Sequence, residues 1–386
     1  MTEKQTKNDS HLGAIDGLKG IGACIIAFFW HYQHFKPQNG SPFFSVFPMS
    51  YKHGSFMVEL FFMLSGFGMM LGYSERIIGH KISFRDFIVK RLRKIYPPFL
   101  FFTLVTIILE LAYYHRCGTT FVYGNFDIQH LIYNLLLMQD GFFGKDWSLD
   151  APSWCISICM LCYLLFYLIL YRVRNERHGC YVFFGAALLG TTITLSGVDY
   201  PLWNSLVGRG IACFFIGAIL CTLYRNREKF RYQRLGYVCL GAVIISYLVL
   251  RFKPEFMGDF RMAFILGIAP ALILAVLFIP WLGAVLGIRP LTYLGSLSIV
   301  IYLVHFPVQC AIRTIDEYAG LGLDYSTKAV WLSYAAAVLI SSVVYRLVIA
   351  KAAEKAVFGF FSKKETAPQK KRHEQEHIPQ YPPQKV

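Results

Sequence analysis

The chain is short of charge. Only 16% of its 386 residues are Asp, Glu, Lys or Arg, against roughly a quarter in a soluble globular domain. Too few remain to cover a water-facing surface, which excludes a soluble enzyme. Acids are the scarcer sign: 23 against 38 basic residues, for a net charge of +15. No basic stretch reads as a nucleic-acid module, so no nucleic-acid partner is expected. No internal repeat is visible, and an inverted-repeat transporter gains no support from symmetry. The first apolar run, about 15–35, lacks a small-x-small cleavage site and is followed by further runs, so it reads as a retained helix. Cysteine, with ten copies, is not scarce, but most copies lie inside apolar runs, where the thiol serves as a small apolar group. Cys155, Cys159 and Cys162 share one helix face with no histidine or second Cys pair to complete a site, so no metal is expected. No disulfide framework is indicated.

What the chain has is apolar length. Apolar and aromatic residues make up 55%, and the mean hydropathy is +0.45. Runs near the ~20 residues that span a bilayer as helix fall at 15–33, 56–73, 97–115, 153–171, 180–197, 209–224, 236–250, 262–282, 291–311 and 328–350. They predict an all-α, polytopic bundle of about ten spans, with a short non-crossing helix within 125–138. Basic residues gather in alternate connections: Arg76 to Lys94, Arg172 to Arg177, Arg225 to Arg234, and the C-terminal tail. The intervening connections are sparse, with Lys36 and Lys52, then Arg116 and Lys145. By the positive-inside rule both termini are expected in the cytoplasm, in a multi-pass protein of the cell membrane. The expected division is an N-terminal segment 1–14, a membrane domain 15–350 and a basic cytoplasmic tail 351–386. The tail, rich in Gln, Lys and Pro from Ser362, reads as disordered, with membrane lipid as a partner.

Ionisable side chains inside a bilayer are costly and mark function by default. The first span carries Asp16 and Lys19 at its inner end and His31 and His34 at its outer end. Twelve residues, roughly 18 Å of helix, separate Lys19 from His31. Histidine is the side chain best suited to accept a hydroxyl proton near neutral pH, although a histidine at the membrane interface also needs no function. Glu59 lies in the outer third of the second span, placed either to orient a histidine or to pair with Arg209 or Lys52. Ser65 is expected to bond its own helix backbone, or to meet substrate. Gly66 and Gly68 would let a helix or ligand approach closely. The run Lys90 to Pro98 (KRLRKIYPP) precedes the third span, either as a topology signal or as a phosphate site. Arg209 opens the sixth span and His305 lies late in the ninth. By depth, His31, Glu59, Arg209 and His305 fall outward, whereas Lys19, Arg91, Arg93 and Lys94 fall inward. An anionic ligand entering from inside, with proton chemistry beyond it, fits acyl transfer across the membrane and equally a proton-coupled transporter or a flippase for a polar lipid or polysaccharide unit.

These blocks, in this order, resemble the membrane-bound acyltransferase family three, which O-acylates cell-surface polysaccharides and other acceptors. The resemblance rests on Ile15 to Gly20 (IDGLKG) through His31, Val58 to Phe67 (VELFFMLSGF, like the family's FFxLSGF), the basic run ending at Pro97, Trp154 to Ser157 (WCIS), and Leu294 to His305 (LGSLSIVIYLVH). It implies acyl-CoA, most simply acetyl-CoA, as donor substrate, with no permanently bound cofactor, and a sugar hydroxyl of a glycan or lipid-linked precursor as acceptor. His31 would be the general base, or carry the acyl group briefly, with Glu59 orienting it. Lys19, Arg91, Arg93 and Lys94 would hold the donor, its phosphates at the last three. Asp16, His34, Ser65, Trp154, Arg209 and His305 would line the substrate site. The chain departs from the family pattern in three places. The family has an arginine, ten residues, then the histidine; here Lys19 replaces the arginine and eleven residues intervene, a shift of about 100° around an α-helix. The family's RxxR becomes Arg91 and Lys94, with charge kept but the planar fork lost. Cys159 stands where the family's Trp-Ser-x-Ser-x-Glu block has its glutamate.

Overall fold

The computed structural model describes residues 3–140, 142, 147–253 and 260–362. Among the described residues, ten helices are long and apolar enough to cross a membrane: α1 Gly13–Phe35, α2 Pro48–Ile78, α3 Phe84–Cys117, α4 Ala151–Arg172, α5 Glu176–Leu195, α6 Ser205–Arg225, α7 Tyr232–Phe252, α8 Phe260–Phe278, α9 Arg289–Ala319 and α10 Lys328–Gly359. The chain is a multi-pass, all-α membrane protein. The expected short helix is present as Ile128–Leu135, capped by Asp127. Asn204 and Thr327 cap α6 and α10 in the same way, each accepting from backbone N–H groups that the first helical turn leaves unpaired.

Several boundaries differ from the sequence reading. The basic residues Arg85 to Lys94 are not in a loop. Ser83 caps α3 by accepting from the Asp86 N–H, and nothing in 84–96 breaks the helix. Pro97 and Pro98 then sit inside the helix rather than at its start, so the cations ride on a rigid extension of the span. At the other end of the chain, helix continues through Ala350–Ser362, inside the stretch expected to be tail. Residues 363–386 lie outside the described residues, as does Lys145.

α2 and α6 are the most enclosed spans, while α5, α7 and α10 present much of their surface outward. The central helices meet backbone to backbone at glycines. A Cβ on Gly295 would lie 1.9 Å from the Asp16 carbonyl oxygen, which fixes α9 against α1. A Cβ on Gly66 would lie 1.8 Å from the Phe214 oxygen, which does the same for α2 and α6. In lipid there is little hydrophobic drive between helices, and close packing of small residues replaces it. Gly66 therefore meets a helix as expected, whereas around Gly68 there is open space.

Candidate active site

α1 does not run as a uniform α-helix to its outer end. Residues Ile26–Trp30 form a π-turn and His31–Phe35 a 3₁₀ turn, closed by Lys36 in the left-handed region at φ 51°. A π-turn bonds i to i+5 and so holds one residue more than an α-turn. It absorbs the extra residue between Lys19 and His31. The rotation of about 100° expected for a uniform helix is thereby taken back, and His31 faces α9.

There it meets His305. His31 Nδ1 and His305 Nε2 are 2.6 Å apart, and the rings stack at 4.8 Å. His305 Nδ1 lies 2.6 Å from the Tyr302 carbonyl oxygen. A carbonyl only accepts, so His305 carries its proton on Nδ1 and its Nε2 is a bare acceptor. His31 must then donate from Nδ1, which leaves His31 Nε2 with a free lone pair. Partners fix the tautomers of both rings, as they do in general for histidine. His305 is fully buried; His31 is partly accessible.

His34 joins the same cluster, stacked on His31 with centroids 4.8 Å apart. Its Nδ1 is 3.1 Å from Gln309 Oε1, and the Gln309 amide nitrogen donates to the His31 carbonyl at 2.8 Å. The Tyr123 hydroxyl approaches His34 Nε2 at 3.4 Å. Tyr302 in turn donates to the Pro152 carbonyl and receives the Cys155 thiol at 3.3 Å. Four parts of the chain distant in sequence are tied together here: α1, α9, the start of α4 and the connection that carries Tyr123.

Glu59 does not orient His31. Its Oε1 accepts from Arg209 at 2.7 Å, with Arg261 3.7 Å away, and both members of the closer pair are buried. The reason is that α2 packs on α6, which places Glu59 against the α6 cation rather than against α1. The Arg209 guanidinium also lies over the Trp154 ring at 5.3 Å. Glu59 Oε2 has no hydrogen-bond partner among the described residues. Glu59, Arg209 and Trp154 thus form one group, and His31, His34 and His305 another. Ser65 bonds neither its own helix nor Glu59; its hydroxyl meets Tyr163 at 2.8 Å and the Cys159 thiol at 3.4 Å. The position of the family's glutamate is therefore filled by a thiol held in a hydrogen-bonded trio.

The inward cations gather at the other end of α1. Lys19 pairs with Asp16 at 3.0 Å. Lys94 sits within electrostatic range of Lys19, Arg91 and Asp16. Arg91 donates to the Tyr73 hydroxyl and lies over that ring at 4.6 Å, while its Nε finds no partner among the described residues. Its charge reaches Cys159 and Tyr163. Arg93 turns toward the C-terminal helix, 5.9 Å from the Phe358 ring. Among the described residues no three His, Cys, Asp or Glu side chains are arranged to hold a metal ion.

Four members of the histidine cluster's surroundings escape a reading of the sequence. Tyr123 and Gln309 are ordinary polar residues without local pattern. Glu110, buried in α3 and receiving the Phe121 N–H at 3.1 Å and the Cys310 thiol at 3.4 Å, is a carboxylate inside an apolar span, the same signal that singles out Glu59. Asp150 stands just before α4, fully buried, with neither carboxyl oxygen hydrogen-bonded.

A multi-pass helical protein with a tautomer-locked histidine pair at one end of its first span and a group of cations at the other is a membrane enzyme in outline. The family comparison makes it specific: the acyltransferase-three family model, described as an acyltransferase domain, matches residues 12–347, and the chain belongs to that family. It is an acyltransferase. A candidate acetyltransferase of Acidianus two-tailed virus is 22% identical over 325 residues, covering 81% of this chain and 87% of the viral protein. No solved structure matches the chain.

Proposed function

We propose that the protein moves an acetyl group from acetyl-CoA to a sugar hydroxyl of a cell-surface glycan or lipid-linked precursor, in the cell membrane, with both termini in the cytoplasm. The observation that carries this reading is the His31–His305–Tyr302 carbonyl chain, which leaves His31 Nε2 unprotonated and partly accessible. Acetyl-CoA sits with its phosphates at Arg91, Lys94 and Lys19, and Arg93 adds charge at the edge. The pantetheine arm runs outward past Ser65 and Cys159. His31 Nε2 removes the acceptor hydroxyl proton. The alkoxide oxygen attacks the thioester carbonyl, the C–O bond forms and the C–S bond breaks. The CoA thiolate leaves and takes back the proton from the imidazolium. His305 holds the His31 ring and shares the positive charge that develops on it, as a neutral counterpart of the carboxylate that orients histidine in hydrolytic triads.

Positioned general-base catalysis contributes ~10²–10⁴-fold. His31→Ala should therefore reduce acetyl esters on surface glycans to the level of a gene deletion, as measured by mass spectrometry, with the protein still present in membranes at wild-type amounts. Normal glycan acetylation in that variant would sink the proposal. Glycans that carry the same acetyl groups with and without the gene would point to transport instead.

A further inference from the structure

We propose that Asp150 is an acceptor-binding residue: its two orphaned carboxyl oxygens hold hydroxyl groups of the sugar against the histidine cluster. The inference rests on the acyl-transfer reading above and adds to it the residue that recognises the acceptor.

Asp150 is 0% exposed, and neither oxygen has a hydrogen-bond partner among the described residues. A buried polar group without a partner is expensive and rare, and in a native site it calls for a ligand or water. The surroundings say where that ligand would sit. The Asp150 carbonyl accepts from the Ser153 hydroxyl at 2.6 Å, which locks the entry to α4. Two residues after Asp150, the Pro152 carbonyl accepts from Tyr302, the residue whose own carbonyl orients His305. Asp150 lies within electrostatic range of Tyr123, Tyr302, Cys155 and Cys310. Tyr123 touches His34. The carboxyl therefore belongs to the wall of the histidine site, on the side formed by α4 and the 119–127 connection.

The chemistry of the wall selects the ligand. Among the described residues no cation stands with these neighbours; the titratable groups facing Asp150 there are the two phenols, the two thiols and, through Tyr123, Asp140. Burial without a counter-charge pushes the Asp150 carboxyl up to about 8, so near neutral pH it is an uncharged acid with one O–H donor and one carbonyl acceptor. Burial likewise pushes the Tyr123 phenol up, which keeps it a donor. A neutral donor–acceptor pair suits a polyol, whose hydroxyls both give and take hydrogen bonds. It does not suit a phosphate or an ammonium ion. Above the Asp150 transition the site would carry a negative charge beside the oxygen that becomes an alkoxide, and transfer should fall.

The test uses full-length protein purified in detergent, radiolabelled acetyl-CoA, and surface glycan extracted from cells lacking the gene. Wild type, Asp150→Asn and Asp150→Leu are compared from pH 6.5 to 9.5, with the thermal shift induced by CoA as the measure of folding and donor binding. Asp150→Asn, which keeps a neutral donor and acceptor, should transfer label within about threefold of wild type at pH 6.5 and lack the wild-type decline through pH 8. Asp150→Leu, similar in shape but without polar atoms, should lose at least about tenfold while CoA still shifts its melting, the size expected when a buried polar contact to a substrate hydroxyl is removed. Wild-type transfer by Asp150→Leu overturns the assignment, and so does an Asp150→Asn variant as inactive as the leucine one or declining through pH 8 like wild type. If wild-type protein itself transfers no label to glycan, the acyl-transfer reading fails, and this inference with it.

Discussion

At the scale of single residues, the site is a matter of which nitrogen carries which proton. The Tyr302 carbonyl sets the His305 tautomer, and His305 sets that of His31. Removing His305 should leave His31 free to rotate and to place its proton on either nitrogen. His305→Ala is expected to lower kcat on the order of 10²-fold with the KM for acetyl-CoA unchanged. His305→Gln supplies a carbonyl oxygen that still accepts from His31 Nδ1–H, and should recover part of that loss. Steady-state kinetics on the two variants separate a positioning role from mere support of the fold, because a folding defect would not be relieved by glutamine in kcat alone; equal activity of His305→Ala and wild type would remove the tautomer argument. None of this pairing was legible in the chain. His31 and His305 are 274 positions apart, and each alone reads as well as an interfacial histidine. The sequence placed both at the same depth. The packing of α1 on α9 at Gly295, together with the turn geometry beyond Ile25, brings them to one face.

At the scale of elements, helix count, order and most boundaries follow from apolar runs, because a span must satisfy its backbone internally and be long enough to cross. Departures from regular helix were not legible, since they depend on tertiary packing. The π-turn Ile26–Trp30 is the clearest case. Its apolar residues carry no mark of it, yet it decides whether His31 faces α9 or lipid. A π-turn that stores one extra residue can give it up locally. Deleting Ala27 should let the turn relax to α-helix with Lys19 and His31 still on their present faces, and acetylation should persist at a measurable fraction of wild type. Deleting Gly22, in the regular α-helical part, has no stored residue to draw on and rotates everything beyond it by about 100°; acetylation should be lost. Equal loss in both deletions, at equal protein levels, would mean that the bulge does not set the register of His31. The same packing logic accounts for Glu59: its burial was readable, but its choice of Arg209 over a histidine came from α2 lying on α6 through Gly66.

Across the whole molecule, the protein has two chemical ends joined by one helix. Lys19 and His31 mark the two ends of α1, roughly 18 Å apart, with Lys94 and Arg91 gathered at the first and His305 and His34 at the second. This two-layer arrangement was the part of the site most visible in the sequence, because charge is scarce enough in the chain for ionisable groups at the ends of apolar runs to stand out, although Glu110 and Asp150 did not. Under the proposed function it would separate donor recognition from chemistry, and that separation can be measured. Lys94→Glu replaces a cation by an anion beside Arg91 and Lys19, and should raise the KM for acetyl-CoA at least about tenfold, since opposed phosphate and carboxylate charges repel where charge-assisted bonds formed before. kcat at saturating donor should stay near wild type, because His31 and His305 are untouched. Acetyl-pantetheine carries the same thioester and arm without phosphates, so its KM should barely respond to Lys94→Glu. If both donors weaken together, the substitution has disturbed the passage between the layers and the cations are not a phosphate site. If neither weakens, the positive cluster serves only to hold that end of α3 in the cytoplasm. A KM effect confined to the phosphorylated donor, and reduced by added salt as an exposed ionic contact must be, is the outcome that the division into two ends requires.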